Sequence, residues 1–244
     1  MSDTDDADDT DDTDASPTLD GSWPSAVDFH LDPMCPWAYQ ASLWIREVRA
    51  ATGLDIGWRF FSLEEINRPD DRPHPWERPW AWGFSQMRVG AHLRRESQDA
   101  VDRWYAAIGS AFFERAVPTH DRRVHAEVLG DAGFDPGVVE AAVSDPTTAD
   151  EVRADHDRAV ALGGFGVPIL SFPDGTNLFG PSVAPAPVGD DAVRLWELVL
   201  AWKDFPNLHE MQRPKAPADW ERISALFAPY LEAREWQTIQ NPAP

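Results

Sequence analysis

The sequence predicts an α/β protein in which a parallel strand-helix-strand unit is followed by a long helical insertion and a β-hairpin. Alternating apolar residues in Val27–Leu31 indicate a half-buried strand, and apolar residues at helical spacing follow from Trp37 to Val48. A strand-helix-strand unit of this length is a parallel crossover. Helical periodicity then dominates residues 64–163 before strand-like sequence returns at Val167.

Length and charge limit the class of protein and its partners. The chain has 244 residues, 43% of them hydrophobic, which is enough to bury one large core or a core with an insertion. Its 42 acidic and 21 basic residues give a formal net charge of −21. Because such a charge repels phosphate, we expect neither nucleic acid nor an anionic membrane surface as a partner. No segment resembles a secretory signal or a membrane span, so we expect a cytoplasmic protein.

Residues 1–24 form a separate, acidic segment. Nine aspartates lie among the first twenty residues, without a basic residue between them. Such a segment buries too little apolar surface to offset the entropy of ordering, which predicts a disordered tail. General charge and solubility are the favoured role for it, and specific docking is the alternative.

Cys35, the only cysteine, lies where the first strand gives way to the first helix. Asp32-Pro33 predicts the turn, and Pro36 suits the first helical position because its missing N–H needs no acceptor there. Cys35 then becomes the N-cap residue. Since free backbone N–H groups and the helix dipole favour an anion, we expect a lowered thiol pKa and a nucleophilic thiolate. A buried, inert thiol is the alternative, and one cysteine forms no internal disulfide.

The remaining elements follow from periodicity and from turn residues. Thr52-Gly53 is expected to end the first helix, and a helical stretch over Trp80–Phe113 is interrupted near Glu96. Pro173-Asp174-Gly175 predicts the turn of a hairpin. The other predicted elements are strands at Asp55–Leu63, Val167–Phe172 and Thr176–Phe179, and helices at Arg122–Ala132, Pro136–Val143, Thr147–Leu162, Asp190–Lys203 and Trp220–Trp236.

This order of elements resembles the DsbA-like branch of the thioredoxin superfamily, a thioredoxin-like fold with a large all-helical insertion. More closely, the chain is similar to the actinobacterial subgroup described as mycothiol-dependent nitroreductases or DsbA-family oxidoreductases. The resemblance covers roughly residues 27–214, and its matching segments are FHLDPMCPW (29–37), FSLEEIN (61–67), Gly166-Val167-Pro168, Phe179-Gly180-Pro181 and the helix and tail from Leu195 to Arg213.

With this resemblance, the chain divides into five parts. An acidic tail is followed by a first thioredoxin-like part, a helical insertion, a second thioredoxin-like part and a C-terminal helical tail. Their expected bounds are residues 1–24, 25–63, 64–163, 164–214 and 215–244.

The resemblance also implies a set of site residues around Cys35. In this superfamily the peptide bond before the matching proline is cis and packs beside the nucleophile, so Val167-Pro168 is assigned that role. Because the backbone is displaced at this peptide bond, the backbone groups of Val167 are left free to bind an extended thiol-containing substrate as an added strand. Cys35 is the expected catalytic residue, and the expected substrate-binding or thiol-binding residues are Pro36, Trp37, Tyr39, Asn67, Val167 and Pro168. A half-buried aromatic role for Tyr39 and helix capping by Asn67 are the alternatives.

The chief departure from the family pattern is Ala38. Redox-active relatives carry Cys-Pro-Trp-Cys, whereas this chain has Cys35-Pro36-Trp37-Ala38. Dithiol oxidation within one chain is therefore impossible, which leaves monothiol chemistry with an external thiol to resolve the mixed disulfide. We expect no tightly bound cofactor, a mycothiol-like low-molecular-weight thiol as co-substrate, and a small electrophile or disulfide as substrate.

The sequence is also compatible with other functions. The same scaffold carries kappa-type glutathione transferases and 2-hydroxychromene-2-carboxylate isomerases, and a redox-inactive binding protein is a further alternative. His120 and His125 lack the spacing of a metal motif, so no metal site is predicted. Three tryptophans in and after the proline-rich loop either belong to the core or line a lid over Cys35: Trp76, Trp80 and Trp82. The substrate, the physiological thiol and the oligomeric state stay open.

Overall fold

The computed structural model describes residues 23–234, which contain a four-stranded sheet. The strands are β1 (Ala26–Leu31), β2 (Asp55–Phe60), β3 (Ile169–Ser171) and β4 (Asn177–Phe179), and their order across the sheet is β2-β1-β3-β4. Strands β1 and β2 are parallel, β3 runs antiparallel to β1, and β4 runs antiparallel to β3. The predicted parallel crossover and the predicted hairpin are both present.

The helices account for most of the chain between β2 and β3. Six helices lie between these two strands, as the prediction of a large helical insertion requires. The helices are α1 (Pro36–Thr52), α2 (Leu63–Ile66), α3 (Trp82–Arg94), α4 (Gln98–Glu114), α5 (Arg122–Asp131), α6 (Val138–Ser144), α7 (Pro146–Ala161), α8 (Asp190–Lys203) and α9 (Pro217–Ala233), with a 3-10 turn at Pro75–Glu77. Within residues 23–234, no helix is both long enough and apolar enough to span a membrane.

Helix α1 forms the centre of the packing between the sheet and the helices. It ends at Gly53, whose φ of 76° is readily adopted by glycine and whose N–H donates to the Arg49 carbonyl. Trp44, fully buried in α1, donates from Nε1 to the carbonyl of Ala192 at 2.9 Å and so joins α1 to α8. The burial of this indole, together with its hydrogen bond, holds α1 against α8.

Ion pairs and a hydrogen bond of largely buried carboxylates connect helices α3 to α7, which we call the helical block, to helix α1 and strand β2. Asp102 of α4 accepts from Arg46 at 2.7 Å and from Arg49 at 2.6 Å, both on α1. Asp155 of α7 pairs with Arg94 and also accepts from the backbone N–H of Phe60 at 3.2 Å. Because truncating one member leaves an uncompensated buried charge, these pairs hold the helical block in one orientation on the sheet.

Several predicted bounds differ from the structure. The second strand ends at Phe60, not Leu63, because the Ser62 hydroxyl accepts from Glu65 N–H at 3.1 Å and caps the short helix α2. The third strand begins only after Pro168. Helix α9 begins at Pro217 and ends at Ala233, earlier than the predicted end at Trp236, which lies outside the described residues. The predicted disordered tail also lies outside them, apart from its last two residues.

Candidate functional site

Cys35 is the N-cap residue of α1, as the sequence predicts. Its φ of −96° and ψ of 111° are extended, and its Sγ accepts from the N–H of Ala38 at 3.4 Å. On its other side Sγ donates to the carbonyl oxygen of Val167 at 3.7 Å. The thiol therefore lies between the start of α1 and the loop that precedes β3.

The expectation of a lowered thiol pKa is wrong for this structure. Cys35 is only 7% exposed, and burial raises the pKa of its thiol to about 12. Hydrogen bonds from the backbone at Ala38 and Trp37 favour the thiolate, but they do not offset the loss of hydration. The negative charge of Asp32 raises the thiol pKa further. The helix N-terminus is present, yet desolvation outweighs it.

Asp32 is a site residue that the sequence reasoning assigned only to a turn. Its carboxyl group is fully buried and accepts two backbone hydrogen bonds at 2.8 Å, from Met34 at Oδ1 and from Leu63 at Oδ2. None of the ion pairs found between residues 23 and 234 includes Asp32. Burial raises its pKa to about 7, and the charge of Glu64 acts in the same direction. An acidic residue three positions before the cysteine is the signal that could have identified it.

The loop before β3 completes the wall around the thiol. The Val167-Pro168 peptide bond is cis, as the family resemblance implies. Val167 is buried in the apolar cluster that contains Cys35, and this cluster also includes Ala38, Phe61, Ala159 and Ile169. Among the described residues, no acceptor is found for the Val167 N–H.

Trp37 lies two residues after the turn formed by residues 32–35, which we call the cysteine turn. It follows Pro36, which occupies the first helical position, and packs against the apolar cluster around Cys35. Its indole meets the ring of Phe227 edge-on, with centroids 5.2 Å apart at 90°. The Lys215 Nζ lies 5.8 Å from the same indole. The C-terminal helix α9 therefore reaches the cysteine site, a contact that the sequence did not indicate.

Tyr39 and Asn67 are held by local contacts rather than by contact with Cys35. Tyr39 is buried, its hydroxyl donates to Glu114 at 2.6 Å, and its ring stacks on Phe113 at 4.9 Å. Asn67 follows α2 as its C-cap residue and donates from Nδ2 to the Leu63 carbonyl at 2.9 Å. No hydrogen bond joins either side chain to Cys35. Tyr39 is fully buried rather than half-buried, and Asn67 caps the end of α2.

The three tryptophans near the proline-rich loop contact that loop and the helical block. Trp76 stacks on His74 at 4.3 Å, and Trp80 donates from Nε1 to the His120 carbonyl at 2.7 Å. Trp82 begins α3 and meets the ring of His120 edge-on at 6.0 Å. None of these ring contacts includes Cys35, so the structure gives no support to a tryptophan lid.

The start of α3 packs against the turn before Cys35. A Cβ added at Gly83 would lie 2.8 Å from Asp32 Oδ1 and 3.0 Å from Met34 Cγ, so only glycine fits there without a shift. Gln86 of the same helix donates from Nε2 to the Met34 sulfur at 3.0 Å. The helical insertion thus helps to bury the Asp32 carboxyl group. Within residues 23–234, no group of three or more His, Cys, Asp or Glu side chains could hold a metal ion.

Two comparisons with known proteins match most of the chain. A family model described as "Rv2466c-like: Mycothiol-dependent nitroreductase Rv2466c" matches residues 34–213. The chain is 51% identical over 217 residues to the uncharacterized protein Rv2286c of Mycobacterium tuberculosis (strain ATCC 25618 / H37Rv), a match that covers 89% of this chain and 94% of that protein.

Two solved structures show the same fold. A probable DsbA oxidoreductase, SCO1869 from Streptomyces coelicolor, is 21% identical with a TM-score of 0.53, and the match covers 78% of this chain and 93% of that one. A putative protein disulfide isomerase from Nitrosomonas europaea is 15% identical with a TM-score of 0.52, and the match covers 76% and 100%. The fold is DsbA-like, and because the family model spans most of the chain, the protein belongs to the Rv2466c-like family, described as mycothiol-dependent nitroreductases.

Proposed function

We propose that the protein is a cytoplasmic, thiol-dependent oxidoreductase that uses Cys35 as a single nucleophile and a mycothiol-like thiol as co-substrate. The observation that carries the proposal is the position of Cys35 at the N-terminus of α1, where its Sγ lies 3.7 Å from the carbonyl oxygen of Val167. Ala38 occupies the position of the second cysteine in a Cys-Pro-Trp-Cys sequence. Family membership supports the choice of co-substrate, since the family is described as mycothiol-dependent.

The chemistry is two successive thiol-disulfide exchanges. Cys35 loses its proton, and the Sγ thiolate attacks one sulfur of a disulfide substrate, so that a new S–S bond forms and the other sulfur leaves as a thiolate. The thiolate of the small external thiol then attacks the substrate sulfur of this mixed disulfide. Cys35 leaves with its electron pair, and the substrate sulfur is left in a disulfide with the small thiol. A second molecule of the small thiol displaces this substrate sulfur by the same exchange, so that the substrate disulfide is reduced by two electrons and the small thiol ends as its own disulfide.

Substrate binding is expected to use the backbone beside the thiol. The Val167 N–H, which has no acceptor among the described residues, would donate to a carbonyl of an extended thiol-containing substrate. Pro36, Trp37 and Pro168 would form the surrounding wall, and Tyr39 and Asn67 would support it through the helices that they contact. Because the thiol pKa is near 12 in the closed site, attack requires that water or substrate first reaches Sγ.

Intact mass spectrometry tests this proposal directly. The protein is incubated with mycothiol disulfide, and since Cys35 is the only cysteine, any mixed disulfide must form there. We expect one adduct of one mycothiol per chain, its complete release by excess mycothiol, and no adduct in Cys35→Ser. A wild-type protein that forms no adduct would instead be a redox-inactive binding protein.

A further inference from the structure

Beside the cysteine turn lies a group of side chains that the proposed chemistry does not use. We call it the lysine-aromatic cluster, and it consists of Trp37, Lys215, Trp220 and Phe227. The Lys215 Nζ lies 5.8 Å from the Trp37 ring and 5.3 Å from the Trp220 ring, so the ammonium group is close to two indole faces. Phe227 meets Trp37 edge-on at 5.2 Å and fixes the indole in place.

Among residues 23–234, no carboxylate forms an ion pair with Lys215, although the whole chain carries a net charge of −21. The only other lysine, Lys203, pairs with Asp174 at 2.7 Å and with Asp204 at 3.7 Å. A cation kept apart from carboxylates in so acidic a protein retains its capacity to attract an anion.

The cluster is also open to a ligand. Lys215 is exposed and Trp220 is 54% exposed, whereas Trp37 is partly buried against the apolar cluster of Cys35. An exposed indole beside an ammonium group can stack on a planar ring while the cation attracts an anionic substituent. Three of the four residues lie beyond residue 213, where the match to the family model ends. The cluster is therefore a feature that the family description does not cover.

We propose that the lysine-aromatic cluster is a substrate subsite that takes a planar, anionic aryl group of the disulfide or electrophile attacked by Cys35. This rests on the proposed function. The ammonium of Lys215 attracts the anionic substituent, and the exposed indole of Trp220 stacks on the aryl ring. Trp37, two residues from the nucleophile, joins the subsite to the reacting sulfur. Selectivity for aryl anions over neutral aryl groups is the expected consequence.

The test compares two aryl disulfides that differ in charge. The anionic probe is 5,5′-dithiobis(2-nitrobenzoate), and the neutral probe is 4,4′-dithiodipyridine. With each, the Cys35 thiolate forms an S–S bond to one half of the probe, and the other half leaves with the electron pair. The leaving group is the yellow nitrothiobenzoate thiolate for the anionic probe and, after it takes up a proton, 4-thiopyridone for the neutral probe, and absorbance follows both. The second-order rate constants are measured for wild type, Lys215→Gln and the control Lys203→Gln, which loses the same charge at the other lysine.

We expect Lys215→Gln to react about 3- to 10-fold more slowly than wild type with the anionic probe, in line with the loss of one partly screened charge contact. Its rate with the neutral probe should stay unchanged, as should both rates of Lys203→Gln. The difference between wild type and Lys215→Gln in the rate with the anionic probe should also become smaller at high salt. Equal effects of the two lysine variants, or an equal effect of Lys215→Gln on both probes, would overturn the subsite and leave the proposed function standing. A wild type that reacts with neither probe would overturn both.

Discussion

The backbone N–H of Cys35 donates to the carbonyl oxygen of Asp32 at 3.0 Å, so a buried carboxyl group and a buried thiol share one turn. Burial raises the pKa of both groups, to about 7 for Asp32 and to about 12 for Cys35. The ionised carboxylate raises the thiol pKa further. The ionisation of Asp32 near neutral pH therefore acts on the reactivity of the nucleophile.

The thiol should titrate at high pH in the resting protein. Because only the thiolate reacts with iodoacetamide, a pKa of about 12 predicts an alkylation rate that keeps rising with pH and shows no plateau below pH 10. Intact mass measured against time gives the rate at each pH. A plateau near or below the ordinary thiol pKa of about 8.5 would contradict the burial seen here.

Replacement of Asp32 should make the thiol more reactive. Asp32→Asn removes the charge that raises the thiol pKa, so alkylation at pH 8 should be faster, by about 3- to 10-fold, with the whole pH profile moved to lower pH. Asp131→Asn makes the same change on an exposed residue and should match wild type. A profile of Asp32→Asn identical to that of wild type would mean that the two groups are not coupled.

Asp32 should also make stability depend on pH. Its pKa is raised from 3.8 to about 7 on folding, so its contribution to stability is fully present below pH 3.8 and is lost as pH rises towards 7. The loss is on the order of 4 kcal/mol. Urea unfolding of wild type and Asp32→Asn at pH 4 and pH 8 isolates this contribution, because the other carboxyl groups are common to both proteins. A difference between the two proteins that does not change with pH would refute the assignment.

The local features of the site were predictable from sequence, whereas its electrostatics were not. Strand alternation, the Asp32-Pro33 turn and Pro36 at the helix start depend on neighbouring residues, and they correctly placed Cys35 at an N-cap. The thiol pKa depends on burial, which is supplied by residues far along the chain. Val167 lies beside Sγ, and Gly83 brings α3 against the turn. No periodicity in the sequence encodes these distances.

The contact between α9 and the cysteine turn illustrates the same limit. The sequence predicted a helix near Trp220, but an amphipathic pattern does not say which surface its apolar face will meet. Only the structure brings Phe227 against Trp37. The role of Asp32 was missed for a related reason, because an Asp-Pro pair is a common turn signal and its burial is a tertiary property.

Arg88 should be important for stability because it satisfies the carbonyl groups at the end of α6. It is buried, its Nη2 donates to the carbonyls of Val143 at 2.8 Å and Asp145 at 3.1 Å, and its Nε donates to Thr148 Oγ1 at 3.0 Å. Arg88→Ala removes these three hydrogen bonds from a buried site, and although the Thr148 hydroxyl still donates to the Asp145 carbonyl at 2.8 Å, the free energy of unfolding should fall by about 2–4 kcal/mol. Urea unfolding measures the change.

The control for this substitution is Arg123→Ala. The Arg123 side chain is 79% exposed and pairs only with Glu127 one helical turn away, so its removal should change stability little. Similar losses for the two variants would contradict the role given to Arg88.

Ala38→Cys should convert the monothiol site into a dithiol site. Ala38 lies three residues after Cys35 at the start of α1, and its N–H already donates to Sγ at 3.4 Å. Residues three apart on a helix have Cα atoms about 5–6 Å apart, which is within the range for a disulfide. With an oxidant the variant should lose two hydrogens, and after mycothiol disulfide it should accumulate no mixed disulfide, because the introduced thiol would displace the small thiol intramolecularly.

A matched variant separates this effect from the mere addition of a cysteine. Ala41→Cys places a thiol at another fully buried position of α1, six residues from Cys35 and out of disulfide reach. It should therefore accumulate the mixed disulfide at Cys35 as wild type does. If Ala38→Cys also accumulated a stable adduct, the absence of a second cysteine would not be what makes this site depend on an external thiol.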